Sequence, residues 1–283
     1  MMPNSSDREP RSDFAMAKTA PRIGGSCKDG PALQTVPSPL SQSGRSTRAV
    51  ARHDVHGVVL AGGRSSRMGT DKALLPLCRT PLIEYSLAIL RRAGLPVSIS
   101  GSRTDLENIA PVLADMDPPQ GPLTGICSAL HSLRESWIVL LTVDMPLVPP
   151  WLIARMLDHA IDSSAAVVLP SFAGRLHPFP CVLHRDLLPG LLAEYCSGRY
   201  GCLHAFSAAA MQIGKPIETV ALESFFKENS FHDQPQFPID AWLLNVNRPE
   251  DLLQAEQWLA AQFISPVLSG RNLIAAGESP CLP

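Results

Sequence analysis

Apolar and polar residues follow two periodicities along most of this chain. Residues 55–60, VHGVVL, are a short apolar run that ends in Ala61-Gly62-Gly63. That is the pattern of a buried strand running into a glycine loop. Residues 81–93 carry apolar side chains at Leu82, Ile83, Leu87 and Leu90, with Pro81 in the first turn and Gly94 as a stop. This predicts a helix. Residues 97–100, VSIS, alternate like a strand end, and residues 123–133 have helical spacing. Residues 137–143, WIVLLTV, are continuously apolar, as in a central parallel strand covered on both faces. A helix is expected over 149–161, and further strands over 165–169, 179–183 and 217–222. Residues 249–263 read as a closing amphipathic helix, with Pro249 early and Glu250 and Asp251 in its first turn, where acids suit the helix dipole. Strands alternating with helices predict an α/β sheet with right-handed crossovers.

The two ends break this pattern. Residues 1–53 hold eight Lys or Arg and four Asp or Glu, with many Ser and Pro and few large apolar side chains. Such a segment cannot bury enough surface to offset its ordering entropy, so it reads as a disordered N-terminal extension. Its Arg and Ser content resembles a targeting peptide, but its four acids do not. The last residues, 265–283, return to Ser, Pro and Gly and read as a loose tail. The expected domain is 54–264.

The whole chain has 24 basic and 26 acidic side chains, a net charge of −2. That balance argues against a general nucleic-acid or anionic-membrane binder. The most apolar stretch, 137–153, is interrupted by Asp144, Pro146, Pro149 and Pro150, so no membrane span is expected. The seven cysteines lie at 27, 78, 127, 181, 196, 202 and 281, and none forms a CxxC pair. They read as free thiols in a reducing cytoplasm rather than as a zinc or redox site.

Ligands of open α/β sheets bind beyond the carboxyl ends of the strands, and two features lie there. The first is the loop of residues 60–72, LAGGRSSRMGTDK, with three glycines, two arginines and a lysine. Glycines let backbone N–H groups approach phosphates, and the cations neutralise them. The loop is neither a Walker A sequence nor GxGxxG. An ordinary strand-to-helix turn with solvated charges would use similar residues. The second is Asp144, at the end of the most apolar strand. A carboxylate emerging from a buried strand is costly without a cation, and Mg²⁺ takes one or two carboxylates plus phosphate oxygens and water. The other reading of Asp144 is a helix or turn cap.

Together, VVLAGGRSSRMGTDKALLPL (58–77), GPLTG (121–125), DMP (144–146), HP (177–178) and NVNRPEDL (245–252) resemble the molybdenum cofactor guanylyltransferases, the MobA-type members of the MobA-like nucleotidyltransferases. The resemblance spans roughly residues 55–262. It implies a three-layer, mostly parallel sheet of the glycosyltransferase-A-like, Rossmann-like nucleotidyltransferase fold. It implies Mg²⁺-dependent transfer of GMP from GTP to the phosphate of molybdopterin, with pyrophosphate released. By this resemblance Leu60, Ala61 and Gly62 line the base and ribose. Gly63, Arg64, Ser65, Arg67 and Gly69 wrap the triphosphate, and Lys72 lies near the α-phosphate. Ser100 and Asp115 also match nucleotide-side positions, Asp144 matches the metal ligand, and Gly125, Asn245 and Asn247 match the acceptor side. Lys72, Arg67 and Asp144 would carry the catalysis. Where the family often has Asn, this chain has Ser100, a shorter group with one donor instead of two. His177 reads as a loop histidine, because nucleotidyl transfer needs positioning and charge neutralisation more than proton transfer.

The implied partners are GTP, molybdopterin in its molybdenum-bearing form, and cofactor-insertion chaperones or molybdoenzymes. No nucleic acid and no membrane is implied. Other readings are cytidylyl transfer to the same cofactor, nucleotidyl transfer to another phosphorylated acceptor, a non-catalytic nucleotide-binding module, and a redox or metal-storage protein using the cysteines. The composition of residues 1–53 makes one expectation independent of these. A chain lacking that segment should keep its melting temperature and turnover, and a collapse in soluble yield would show instead that the segment packs on the domain.

Overall fold

The computed structural model describes residues 54–62, 71–119, 121–199, 201–227 and 237–268, with side chains as far as 261 in the last helix. The expected extension over 1–53 lies outside the described residues, as do Gly63, Arg64, Ser65, Arg67 and Gly69 and residues 269–283. In chain order the elements are β1 (Val55–Leu60), β2 (Pro76–Leu77), β3 (Thr80–Pro81), α1 (Leu82–Arg92), β4 (Val97–Ser100), β5 (Val112–Leu113) and α2 (Pro122–Ser132). There follow β6 (Trp137–Thr142), α3 (Pro150–Ser163), β7 (Val167–Phe172), β8 (Arg175–Leu176), β9 (Cys181–His184), α4 (Leu188–Cys196) and α5 (Cys202–Ile213). The last are β10 (Ile217–Ala221), α6 (Ser224–Lys227), α7 (Ile239–Trp242) and α8 (Pro249–Leu268).

The main sheet runs in the order β10-β7-β9-β6-β1-β4-β5, with β8 paired to β7. All these path neighbours are parallel except those of β9, which is antiparallel to both β6 and β7. The expected three-layer α/β fold is observed. On one face α1 and α3 pack over Val59, Val139 and Leu141. On the other α2, α4 and α5 pack over Val58, Leu60, Ile138 and Leu140. Alternate strand residues point to opposite faces, so two covered faces require apolar residues at both parities. This is why 137–142 reads as an unbroken apolar run.

The closing helix runs to Leu268, beyond the 263 expected from its pattern. The pattern passes over α4 and α5 altogether. Their neighbourhood carries Pro189, Gly190, Gly198 and Gly201, which read as breakers. Here Pro189 falls within the first turn of α4, where a missing N–H costs nothing, and Gly201 occupies the N-cap of α5. Of the described cysteines, Cys127, Cys181, Cys196 and Cys202 are free thiols, whereas Cys78 is disulfide-bonded. No described helix is long and apolar enough to cross a membrane.

Gly190 has a packing role. A Cβ there would lie 2.7 Å from both Cα and Cβ of Ala209, so α4 and α5 touch through this pair. Gly190→Val should therefore destabilise the protein by about 1–3 kcal/mol through overpacking, read by urea unfolding. A variant as stable as the parent would show that the two helices separate freely.

Candidate active site

Parallel pairing brings Leu60 level with Ser100 on one side and with Thr142 on the other. The chain leaves β1 and enters β4 on one flank, then places β6 on the opposite flank. This is the topological switch at which open α/β sheets form a crevice. A cavity of about 360 Å³ opens there, lined among others by Leu60, Ala61, Gly62, Asp71, Lys72 and Ser100 and by Asp115, Gly121, Gly125, Thr142 and Asp144. Backbone bonds hold the three strand exits together: Ala61 N donates to Ser100 O (2.9 Å) and Val143 N to Leu60 O (3.2 Å). Ser86, buried on α1, donates its hydroxyl to Thr142 O at 3.2 Å and so pins the end of β6.

One wall is built from Ser100, Asp115 and Gly125. The Ser100 hydroxyl is within reach of Asp115 Oδ1 (3.0 Å) and Gly125 O (3.1 Å). A Cβ on Gly125 would come within 2.9 Å of Ser100 Oγ and 3.1 Å of Leu60 Cδ2. Glycine in α2 thus lets the helix lie against the strand end. A Cβ on Gly62 would meet Asp115 Oδ2 at 2.9 Å, so this carboxylate rests on the glycine loop. The loop bearing Asp115 is tied down by Met116 N donating to Ser128 Oγ (2.8 Å) and Tyr195 OH donating to Pro118 O (2.6 Å). Gly121, at φ +67°, is the N-cap of α2. It turns the helix N-terminus, with its partial positive charge, to the cavity wall.

The opposite wall is ionic. Lys72 Nζ donates to Asp144 Oδ2 at 2.8 Å and to Asn247 Oδ1 at 2.7 Å. Asp144 Oδ1 is buried and has no hydrogen-bond partner among the described residues. The loop carrying Asn247 is stitched to the strand end by Val246 N donating to Asp144 O at 2.9 Å. Asp251 accepts from the backbone N–H groups of Asn247 and Arg248, both at 2.8 Å. It is the third residue of α8 reaching back to cap its own start. Asn245 donates to Leu243 O at 3.1 Å, and so shapes the turn before α8.

The site residues expected from the sequence therefore fall into three groups. Leu60, Ala61, Gly62, Lys72, Ser100, Asp115, Gly125 and Asp144 line one cavity. Asn247 joins them through Lys72, while Asn245 acts on the loop backbone. Gly63, Arg64, Ser65, Arg67 and Gly69 lie outside the described residues. Gly125, expected on the acceptor side, is beside Ser100, where its carbonyl faces the Ser100 hydroxyl. His177 is not among the cavity-lining residues; burial first, then Arg175, pushes its imidazole below its ordinary pKa.

One participant was not foreseen. Arg103 holds Asp71 with both terminal nitrogens, one of them at 3.0 Å from Asp71 Oδ1. It also donates to Asp105 through Nε (2.8 Å) and Nη2 (2.6 Å). The available signal was an arginine two residues past Gly101, just beyond the end of β4.

Asp115 differs from the other two cavity acids in having no cation paired to it among the described residues. Burial pushes its carboxyl above the ordinary value, and the Ser100 hydroxyl offsets part of this. A carboxyl raised in the folded state contributes stability below its unfolded pKa, and that contribution is lost as pH rises through the folded value. Asp115→Asn should therefore be more stable than the parent at neutral pH. The gain should fade as pH falls to about 4, near the unfolded pKa of Asp. Urea unfolding at the two pH values checks this, and a gain of equal size at both would rule out ionisation as the cause.

Comparison with known proteins fits this geometry. The MobA-like NTP transferase domain matches residues 57–210. A protein of Xanthomonas euvesicatoria named molybdenum cofactor guanylyltransferase is 47% identical over 103 residues, 36% of this chain and 52% of that protein. One of Rhizobium johnstonii with the same name is 31% identical over 218 residues, 73% of this chain and 94% of its own length. Among solved structures, molybdopterin-guanine dinucleotide biosynthesis protein A from Archaeoglobus fulgidus superposes with a TM-score of 0.59 at 19% identity, covering 73% of this chain and 99% of that one. That structure supports the fold alone. The domain match and the near-full-length relative show that this chain belongs to the MobA-like NTP transferase family and is a nucleotidyltransferase.

Proposed function

We propose that this enzyme transfers GMP from GTP to the terminal phosphate of molybdopterin in its molybdenum-bearing form. The acceptor phosphate oxygen bonds to the α-phosphorus, the bond from that phosphorus to the bridging oxygen breaks, and pyrophosphate leaves. The observation that carries this reading is the lysine in the ionic wall of the cavity. Lys72 Nζ lies between Asp144 and Asn247 on the lining of the cavity, where it can meet a phosphate between donor and acceptor. The guanylyl specificity rests on the names of relatives such as those of Xanthomonas and Rhizobium.

The chain's contribution is positioning and charge. Its nucleophile is already an anion, so no strong base is needed, and the barrier lies in bringing two anions together in line. Lys72 supplies a cation to the phosphates. Asp144 suits Mg²⁺, because its buried Oδ1 lacks a partner among the described residues. No group of three or more His, Cys, Asp or Glu that could hold a metal occurs among the described residues. Phosphate oxygens and water would therefore complete the coordination. When bound with the nucleotide, Mg²⁺ supplies charge neutralisation at the departing pyrophosphate. Ser100, Asp115 and the turn at Gly121 line the same cavity away from the ionic wall and would take the nucleoside. Asn247, reaching Lys72 from the loop before α8, faces the acceptor.

The direct test is incubation with each of the four nucleoside triphosphates, Mg²⁺ and molybdopterin, followed by acid release of the nucleotide from the product. GMP is expected; CMP would assign the cytidylyl branch, and no release of pyrophosphate would leave a binding module. Asp144→Asn should lower transfer by about a hundredfold or more, the scale of one main electrostatic contribution. Its melting temperature without ligand should change little, while the stabilisation by GTP with Mg²⁺ should largely disappear. A variant keeping the full Mg²⁺-dependent shift would place the metal elsewhere.

A further inference from the structure

Arg103 lies beyond the cavity wall, yet its contacts converge on the residue next to Lys72. It follows Gly101, whose φ of +151° bends the chain as it leaves β4. At that bend a Cβ on Gly101 would come within 3.3 Å of Gly62 N. Arg103 N then donates back to Gly101 O at 2.9 Å. The bend fixes where the guanidinium starts. From there it grips both oxygens of Asp71, and it is itself braced by both oxygens of Asp105. A planar guanidinium held by two carboxylates has little freedom left.

Asp71 uses its Oδ1 a second time, accepting from Ala73 N at 3.0 Å. This short turn reaches across Lys72 and fixes its backbone between two anchored neighbours. Leu75 N also donates to Lys72 O at 3.2 Å. Lys72 therefore launches from a held backbone, and its four-carbon stem delivers Nζ to Asp144 and Asn247. Without the Asp71 anchor the Lys72 backbone would keep its bond to Leu75 N but lose its hold on the N-terminal side. A lysine has many rotamers, so placing its ammonium within hydrogen-bond range depends on where its Cα is held.

We propose that Arg103 is a positioning residue for nucleotidyl transfer, holding Asp71 so that Lys72 is presented in place to the phosphates. This rests on the transfer reading for its kinetic part and on geometry alone for its effect on Lys72. It assigns Arg103 no contact with substrate.

The test compares the parent, Arg103→Met, Arg103→Lys, Lys72→Ala and the Arg103→Met/Lys72→Ala double variant, all as full chains. Pyrophosphate release from GTP, Mg²⁺ and molybdopterin is measured together with the acetylation rate of Lys72 by a water-soluble acetyl ester, read by peptide mass spectrometry. Arg103→Met should lower kcat by about ten- to a hundredfold, the scale of a misplaced group, and should speed Lys72 acetylation several-fold. Arg103→Lys, which keeps the charge but not the fork, should fall between. In the Lys72→Ala background, loss of Arg103 should cost nothing more. Low millimolar guanidinium should restore part of the activity of Arg103→Met but none of Lys72→Ala. Equal losses in both backgrounds, or an unchanged acetylation rate, would overturn the proposal. If the parent releases no pyrophosphate with any nucleotide, the transfer reading fails, and acetylation by itself decides the positioning role. Should Arg103→Met yield no folded protein, the same comparison is made with Arg103→Lys.

Discussion

The parallel pairing of β1 with β4 on one side and β6 on the other is the constraint from which the site follows. It sets Leu60, Ser100 and Thr142 side by side, so three chain exits crowd one edge of an apolar sheet. Backbone groups there have no further ladder and must bond to one another, as Ala61 does with Ser100 and Val143 with Leu60. The crowding also selects glycine where helix and strand ends meet, at Gly62 against Asp115 and at Gly125 against Ser100. A cavity at this edge is thus a product of topology before any reacting group is considered.

Three carboxylates enter that cavity, and the protein treats each differently. Asp71 is held by Arg103, and Asp144 by Lys72. Asp115 has a hydroxyl from Ser100 and pays for its burial in a raised pKa. The differences suit separate tasks. Asp71 is occupied structurally, with its oxygens committed to Arg103 and to Ala73 N. Asp144 keeps one oxygen uncommitted among the described residues. Asp115 is the least compensated and lies against Gly62. A polyanionic substrate entering such a site must bring or meet cations, and the proposed transfer gives that role to Lys72 and a metal-bearing nucleotide.

The loop before α8 adds a second constraint. Val246 is fully buried and bonds to the Asp144 carbonyl, while Asp251 caps the helix that follows. The Asn residues either side of Val246 are therefore held at fixed distance from the strand end. Asn247 uses this to reach Lys72, whereas Asn245 bonds back to its own loop. Two residues that look equivalent in the sequence thus have different work, because the turn before α8 returns the Asn245 amide to Leu243 O while the Asn247 amide oxygen meets Lys72.

Much of this was legible without coordinates. Apolar runs and turn residues marked β1, β4, β6, α1, α3 and α8, because a strand buried on both faces must be apolar throughout and helices must leave a stripe for the sheet. The glycine loop and Asp144 were legible only as candidates, because a strand-to-helix turn with solvated charges and a helix or turn cap use similar residues; the resemblance to a nucleotidyltransferase family singled them out. Helices α4 and α5 were not legible, since Pro189, Gly190 and Gly201 have the look of breakers until the structure shows a first-turn proline, a close contact of Gly190 on Ala209 and a glycine N-cap. Local pattern also could not show that Arg103 grips Asp71 across 32 residues or that Lys72 reaches Asn247 across 175. Those partners are chosen by which strands lie side by side. Strand order arises from long-range pairing and crossover geometry, and no window of sequence contains it.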